Sequence, residues 1–155
     1  MRISCGLPNI GRLGNADNVL KVAERAESLA YDSLWTIERL LWPVKPQVPY
    51  PVTADGSLPE GYKHCLDPLD TLTFVAARTK KIALGPSVLD IPYYNPVTLA
   101  RRLTTIDVLS DGRLRVGLGL GWSKDEWERI APSLRERSSR FAKMPRPTQK
   151  SEREN

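Results

Sequence analysis

Apolar positions along this chain alternate between short, nearly continuous runs and longer stretches spaced by three and four, a pattern that predicts strands and helices in turn. Residues 2–7 (Arg-Ile-Ser-Cys-Gly-Leu) predict a short buried strand, followed by a Pro-Asn-Gly loop to about residue 15. Val19, Ala23, Ala26 and Ala30 then share one helical stripe, with Asn15 or Asp17 as its cap. Residues 33–37 predict a second strand. Asp67-Pro68 opens the next helix: Asp67 suits the N-cap, Pro68 the first turn, and Asp70 the positive end of the helix dipole, with Leu69, Leu72 and Ala76 inward. Lys80 and Lys81 fall at its far end, where positive charge is favoured. A third strand is predicted over 82–89, interrupted by Gly85-Pro86. A helix follows from Asn95-Pro96 to Leu109, with Leu99, Leu103 and Ile106 inward and Gly112 as its stop. A fourth strand over 114–120 and a helix from Lys124 complete the order.

Strand, helix, strand in repetition is the order of parallel βαβ units. A closed barrel and an open doubly wound sheet both accommodate it. An open sheet normally carries a phosphate-binding glycine turn after its first strand, and Leu7-Pro8-Asn9 stands there instead, so the barrel is favoured. Within the fourth strand every second residue becomes glycine: Gly117, Gly119 and Gly121 share one face. Glycine weakens a strand, so three in period two point to something approaching the backbone closely, either a flat ligand or a neighbouring strand. The spacing is not that of a dinucleotide-binding turn, because Trp122 occupies the place of its third glycine. Between residues 38 and 66 no periodicity survives, and Pro43, Pro46, Pro49, Pro51 and Pro59 interrupt the segment. Loops of that length inside compact domains often cover a ligand, and Trp42, Tyr50 and Tyr62 offer aromatic surface for it.

Composition narrows the classes. With 155 residues, 41% hydrophobic and 26% charged, the chain suffices for one domain with a real core. It carries no apolar run of about 18 residues and no signal-peptide pattern, which reads as a cytoplasmic chain with no membrane partner. Cys5 and Cys65 read as reduced thiols. The net charge of +5 is a property of the end of the chain: residues 133–155 hold seven Lys or Arg and three acids, whereas residues 1–132 hold 16 bases and 15 acids. A near-neutral body without a basic stripe argues against a nucleic-acid partner. The division is therefore a domain over 1–132 and a basic, disordered or divergent tail over 133–155. His64, the only histidine, sits in the proline-rich loop and reads as a surface residue.

Tyr31-Asp32-Ser33-Leu34-Trp35, Asp67-Pro68, Gly85-Pro86-Ser87-Val88-Leu89, Tyr94-Asn95-Pro96-Val97, Ser110-Asp111-Gly112-Arg113 and Gly117-Leu118-Gly119-Leu120-Gly121-Trp122 follow one another in a register that resembles the luciferase-like monooxygenase family. The resemblance is strongest to the branch that uses the deazaflavin coenzyme F420 rather than FMN, and it covers about residues 1–130. Arg135, Arg137 and Arg140 remain similar to the arginine-rich start of the family's next helix. The resemblance implies an α/β fold, the N-terminal half of a TIM (β/α)8 barrel with about four parallel strands and alternating helices, and a site at the C-terminal strand ends. It further implies a non-proline cis peptide at Ser87-Val88, forming with Leu89 a bulge that backs the cofactor ring. Gly119 and Gly121 would bring backbone to that ring, and Trp122 would face ring or substrate. Arg39 replaces the histidine that relatives often place after the second strand. Arginine stays protonated, so the resemblance moves any proton transfer to Glu38 or to a missing part of the protein, and leaves Arg39 to hold an anionic cofactor group. Asp125 and Glu126 either face the site or cap the next helix.

The activity implied is hydride transfer between F420 and a small organic substrate of unknown identity. An FMN-dependent monooxygenase and a non-catalytic half barrel acting through self-association are the alternatives. Complete barrels run to about 250 residues, so the chain reads as a truncated half with open strand edges that invite a homodimer. The phosphate-anchoring loops of such barrels follow strands seven and eight. The isolated chain is therefore expected to bind cofactor weakly or not at all.

Overall fold

The computed structural model describes residues 1–130. Strands β1 (Ser4–Gly6), β2 (Ser33–Thr36), β3 (Ala83–Pro86), β4 (Leu89–Asp90) and β5 (Leu118–Gly119) alternate with helices α1 (Ala16–Ser28), α2 (Pro68–Ala76), α3 (Pro96–Leu109) and α4 (Lys124–Ile130). Every strand pair is parallel: β1 with β2, β2 with β3, and β4 with β5. An isolated parallel bridge from Leu84 to Leu114, with Arg115 N–H donating to Leu84 O at 2.7 Å, carries the array from β3 to the run that leads into β5. This is the expected parallel α/β arrangement, covering part of a barrel wall.

The two strand faces differ in chemistry, and that difference places the helices. Leu34 and Leu84 point outward and meet Val19, Ala23 and Ala26 of α1 and Leu72 and Val75 of α2 in one fully buried cluster. Leu69, Leu89, Leu99 and Ile106 form a second, and Leu114 packs against both. The opposite face carries Ser4, Ser33 and Trp35: Ser33 Oγ lies 2.7 Å from Ser4 Oγ and accepts from Trp35 Nε1 at 2.9 Å.

Helix starts follow the expected chemistry. Asn15, not Asp17, caps α1, accepting from Asn18 N–H; Asp67 caps α2, and Asn95 caps α3 by accepting from Val97 and Thr98 N–H at 3.0 and 3.2 Å. Asn95→Ala is expected to lower stability by about 1 kcal/mol in urea unfolding, the usual value of such a cap. Arg113 accounts for the Ser-Asp-Gly-Arg motif structurally: its guanidinium donates to the carbonyls of Ala76, Thr79 and Ile82 and so ties the end of α2 to the turn after α3.

Four expectations need correction. Ala30 lies beyond α1, exposed and left-handed (φ 57°), because the chain must reverse there into β2. The first strand is not buried: Ser4 and Gly6 are exposed, since β1 pairs only with β2 among the described residues. The third strand breaks at Ser87-Val88 rather than at Gly85-Pro86; both of the latter stay in β3, and the chain steps out of the ladder after them. That step also divides the fourth strand into a bridge at Leu114 and the short β5 at Leu118–Gly119, with Gly117 bonded between them to Pro86 O and Leu89 N–H. Lys80 and Lys81 do more than place charge at a helix end: their backbone N–H groups and that of Ile82 all donate to Glu27 Oε1. The tail expected over 133–155, and Arg135, Arg137 and Arg140 within it, lie outside the described residues.

Candidate functional site

Three connections meet at the C-terminal ends of the strands: the segment after β2, the segment around β4, and the turn from β5 into α4. Asn9, buried beyond β1, fixes the first of them. Its side chain donates to Ile37 O (2.7 Å) and Leu66 O (3.2 Å) and accepts from Ile37 N–H, so both ends of the long loop are held at one point. The loop is otherwise irregular apart from a short turn at Glu60–Lys63.

The alternating glycines serve a neighbouring segment. A Cβ on Gly117 would lie 2.7 Å from Pro86 O, one on Gly119 2.6 Å from Val88 Cγ2 and 3.2 Å from Asp90 Oδ1, and one on Gly121 3.1 Å from Asp90 Cγ. Gly121 has moreover left the strand, at φ 73°, where only glycine is unstrained. Of the two visitors that the sequence allowed, the neighbouring strand occupies the slot, and it brings Val88 and Asp90 over the glycines.

Two buried carboxylates bear on one cation, Glu126 through an ion pair and Asp90 through its charge, and a third acid, Glu38, is tied to Asp90. Glu38 accepts from Asp90 N–H at 2.6 Å through Oε2 and from the Tyr94 hydroxyl through Oε1. Glu126, 1% exposed, accepts from Leu40 and Leu41 N–H and from the Tyr93 hydroxyl (2.8 Å). Asp90 is tied to the first by its own amide and feels the charge of the second, with its carboxylate packed against Gly121. Arg39, its side chain 6% exposed, places Nη2 3.3 Å from Glu126 Oε1, yet neither Nε nor Nη2 has a hydrogen-bond partner among the described residues.

Aromatic rings cover this cation. The Arg39 guanidinium sits 5.1 Å from the Trp122 ring and 5.6 Å from the Tyr62 ring, and Tyr50 closes the group, 5.1 Å from Trp122 with its hydroxyl 2.9 Å from that of Tyr62. Trp42 does not join them; it lies beneath Lys63 instead. A cavity of about 270 Å³ opens beside the group, bounded by Glu38, Arg39, Cys65, Asp67, Tyr93 and Tyr94.

Burial raises the Glu38 carboxyl to about 7 against the bonds from Tyr94 and Asp90 N–H, which oppose it. It raises Asp90 to about 6, helped by the charge of Glu126 and opposed by Arg39. A carboxyl whose folded value is raised binds its proton more tightly in the folded state. Both groups therefore destabilise the fold progressively as pH climbs from the ordinary carboxylate range through 6 and 7. Glu38→Gln, whose carbonyl oxygen can still accept from Asp90 N–H while its amide group donates to the Tyr94 oxygen, is expected to gain stability over the parent at pH 8, by at most on the order of 3 kcal/mol, and to gain little at pH 5 in urea unfolding.

The expected site residues divide as follows. The Ser87-Val88 peptide is cis. Val88 and Trp122 converge on the strand mouth, 41% and 37% exposed. Leu89 does not present its side chain there; it is fully buried with Leu69 and Leu99, because the alternation that turns Val88 and Asp90 to the mouth turns Leu89 to the helices. His64 is exposed. Glu126 faces the site, and Asp125 accepts from Gln47 of the long loop. Sequence reasoning missed Asp90 and Tyr93. A lone acid inside the apolar run Val88-Leu89-Asp90-Ile91 was the signal for the first.

Among the described residues no helix is long and apolar enough to cross a membrane, and no three metal-ligating side chains cluster. The sequence model of luciferase-like monooxygenases matches residues 4–144. An uncharacterised protein of Mycobacterium tuberculosis is 40% identical over 105 residues, 67% of this chain and 37% of that protein. The F420-dependent glucose-6-phosphate dehydrogenase of Amycolatopsis mediterranei is 30% identical over 128 residues, 82% of this chain and 34% of that enzyme. The chain thus spans about a third of the length of the curated relatives it matches. In three dimensions it is similar to monooxygenase RslO1 from Streptomyces bottropensis (TM-score 0.67, 27% identity, 92% of this chain and 40% of that one). It also shares the fold of the oxygenating constituent of 3,6-diketocamphane monooxygenase from Pseudomonas putida, solved in complex with FMN (TM-score 0.65, 20% identity, 84% of this chain and 32% of that one).

Proposed function

The chain belongs to the luciferase-like monooxygenase family, and from that premise we propose that it supplies one side of a redox site at the mouth of a barrel, seating the ring of coenzyme F420. The observation that carries this reading is the convergence of Val88, Trp122, Arg39 and Asp90 at the C-terminal ends of parallel strands, where barrel enzymes perform their chemistry. When bound, a deazaflavin supplies hydride transfer, and the protein positions its ring and keeps water away. Val88 and the Trp122 indole offer the apolar surface against which a flat ring packs. Arg39 offers Nε and Nη2, the side-on edge of its guanidinium, to an anionic or carbonyl oxygen. Those two buried donors want acceptors, and a cofactor of this class presents them. Glu38 and Asp90 hold protons in the neutral range, as a partner to hydride chemistry requires. The substrate is a small organic molecule.

F420 is preferred to FMN because similarity to the F420-dependent dehydrogenase extends over 82% of the chain. FMN is the second reading, favoured by the structural likeness to monooxygenases. Titration of the purified chain with each cofactor, followed by amide NMR, separates them. F420 is expected to shift the signals of Gly119, Gly121 and the Trp122 indole with a dissociation constant near 1 mM, worth about 4 kcal/mol, and FMN to bind more weakly still. Tighter binding of FMN overturns the cofactor assignment, and shifts confined to other residues overturn the site.

A further inference from the structure

We propose that the tip of the long loop, residues 47–57, is a lid over the mouth, and that a ring seated against Trp122 enters by displacing Tyr50 from it. The inference rests on the ring-seating reading above and adds to it the segment that has to move.

The loop is fastened on both sides of this tip. Asn9 holds Ile37 and Leu66, and Glu126 accepts from Leu40 and Leu41 N–H. The turn at Glu60–Lys63 packs against the one at Gly11–Leu13, where Gly11 N–H donates to His64 O at 2.8 Å. Between these anchors no residue from 42 to 59 is buried. The tip is instead closed on itself. Tyr50 N–H donates to Gly56 O (2.8 Å), Gly56 N–H to Thr53 O (3.1 Å), Thr53 Oγ1 to Ser57 O (2.7 Å) and Ser57 N–H to Asp55 Oδ1 (3.0 Å). A loop bonded in this way moves as one body rather than unravelling.

What holds the tip to the rest of the protein is slight by comparison. Among the described residues its hydrogen bonds to the body come from Gln47, to Asp125 and Glu128 of α4, and from Tyr50, whose hydroxyl meets that of Tyr62. The Gln47 bonds are exposed, so water replaces them at small cost. Through the Tyr50 ring the tip reaches Trp122, with 5.1 Å between centroids and 56° between planes. The Arg39 guanidinium stands equally close, 5.1 Å from the same indole. Trp122 thus carries two partners already, and a flat ring laid over it takes the place of one. Arg39 is not the one to leave, since its side chain is 6% exposed and paired with Glu126. Tyr50 rides on a segment that releases as a unit while the anchored ends, the strands and α4 stay in place, as a lid that gates a site must.

NMR of the whole chain tests this. A nuclear Overhauser contact between the Tyr50 ring and the Trp122 indole is expected in the parent, and F420 at saturating concentration is expected to abolish it while Tyr50 and Gly56 N–H stay protected from hydrogen exchange. Tyr50→Ala, which clears the indole, and Gln47→Ala, which removes the two side-chain bonds to α4, are each expected to tighten F420 binding at least threefold. Weaker binding in Tyr50→Ala would make that ring a wall of the seat and overturns the proposal, as does an unchanged affinity in either variant. Loss of Gly56 protection when F420 binds overturns it too, because the tip would then melt rather than swing. F420 that shifts the Trp122 indole while its contact with Tyr50 persists overturns the lid and spares the ring seat. Absence of any response at the mouth to F420 and to FMN, in the parent and in both variants, overturns both.

Discussion

Gly85→Ala is expected to cost about 3 kcal/mol or more and to leave little folded protein at moderate urea concentration, because a methyl group there meets atoms that cannot retreat. The added Cβ would stand 2.3 Å from the carbonyl oxygen of Arg115 and 2.7 Å from Cζ3 of Trp35. Neither neighbour is a free side-chain end. The Arg115 peptide is held by its N–H bond to Leu84 O at 2.7 Å, and the Trp35 ring is pinned through Nε1 to Ser33 Oγ. Relief therefore means prying the strand leading into β5 away from β3, which would break the bridge between Leu84 and Leu114 and open the core cluster behind it. Overpacking that moves backbone lies at the upper end of the usual 1–3 kcal/mol range or beyond it. Gly6→Ala is the matched control: nothing lies within 4 Å of a Cβ at that position, so its stability should change by less than about 0.5 kcal/mol. Urea unfolding of the two variants side by side separates a local clash from any general intolerance of alanine in these strands. A Gly85→Ala variant as stable as the parent would show that the two strands do not approach as described.

The comparison of glycines also shows what was legible in the sequence. Elements announced by caps and periodicity were readable, since Asp67-Pro68 and Asn95-Pro96 act locally, and the apolar stripe of α1 needs only one flank to be recognised. The parallel order of strands followed from their alternation with helices. What sequence reasoning did not resolve depends on contacts between distant segments. The glycines at 117, 119 and 121 declared that something comes close; only the register of β4 against β5, with Leu89 facing Leu118 and Asp90 facing Gly119, reveals that it is Val88 and Asp90. The interruption of the third strand was assigned to Gly85-Pro86 because those residue types disfavour strands, whereas Gly85 is required there by the ring of Trp35. Arg39 was readable as a group that cannot deprotonate. Its enclosure by Tyr62 and Trp122 was not, because 22 residues of aperiodic loop separate it from one ring, and α2, β3, β4, α3 and β5 lie between it and the other. Glu126 was left between facing the site and capping a helix, and the structure shows it fully committed to the former.

That commitment makes Glu126→Ala the second large expected effect, a loss of about 3–5 kcal/mol, the usual result of deleting one partner of a buried ion pair. Three donors converge on this carboxylate, the N–H groups of Leu40 (2.8 Å) and Leu41 (3.2 Å) and the Tyr93 hydroxyl (2.8 Å), and the Arg39 guanidinium pairs with it as a cation, Nη2 lying 3.3 Å away. Alanine would leave two backbone amides without a charged acceptor and Arg39 as a buried cation whose Nε already lacks a partner. Glu126→Gln isolates the charge, since its carbonyl oxygen can still accept from the amides while the Tyr93 oxygen accepts from the new amide group; a smaller loss is expected. Arg39→Met in the Glu126→Ala background tests the cause. If the uncompensated cation dominates, the double variant recovers a large part of the loss, whereas if the amide bonds dominate it recovers none. The aromatic cover supplies a second readout. Trp122 stacks on Arg39, and Glu126 holds Arg39 and the start of the long loop in place, so its loss should shift Trp122 emission to longer wavelength at urea concentrations below the main transition. A Glu126→Ala variant within 1 kcal/mol of the parent, with unchanged emission, would mean that the loop and the mouth are held together by contacts other than this carboxylate.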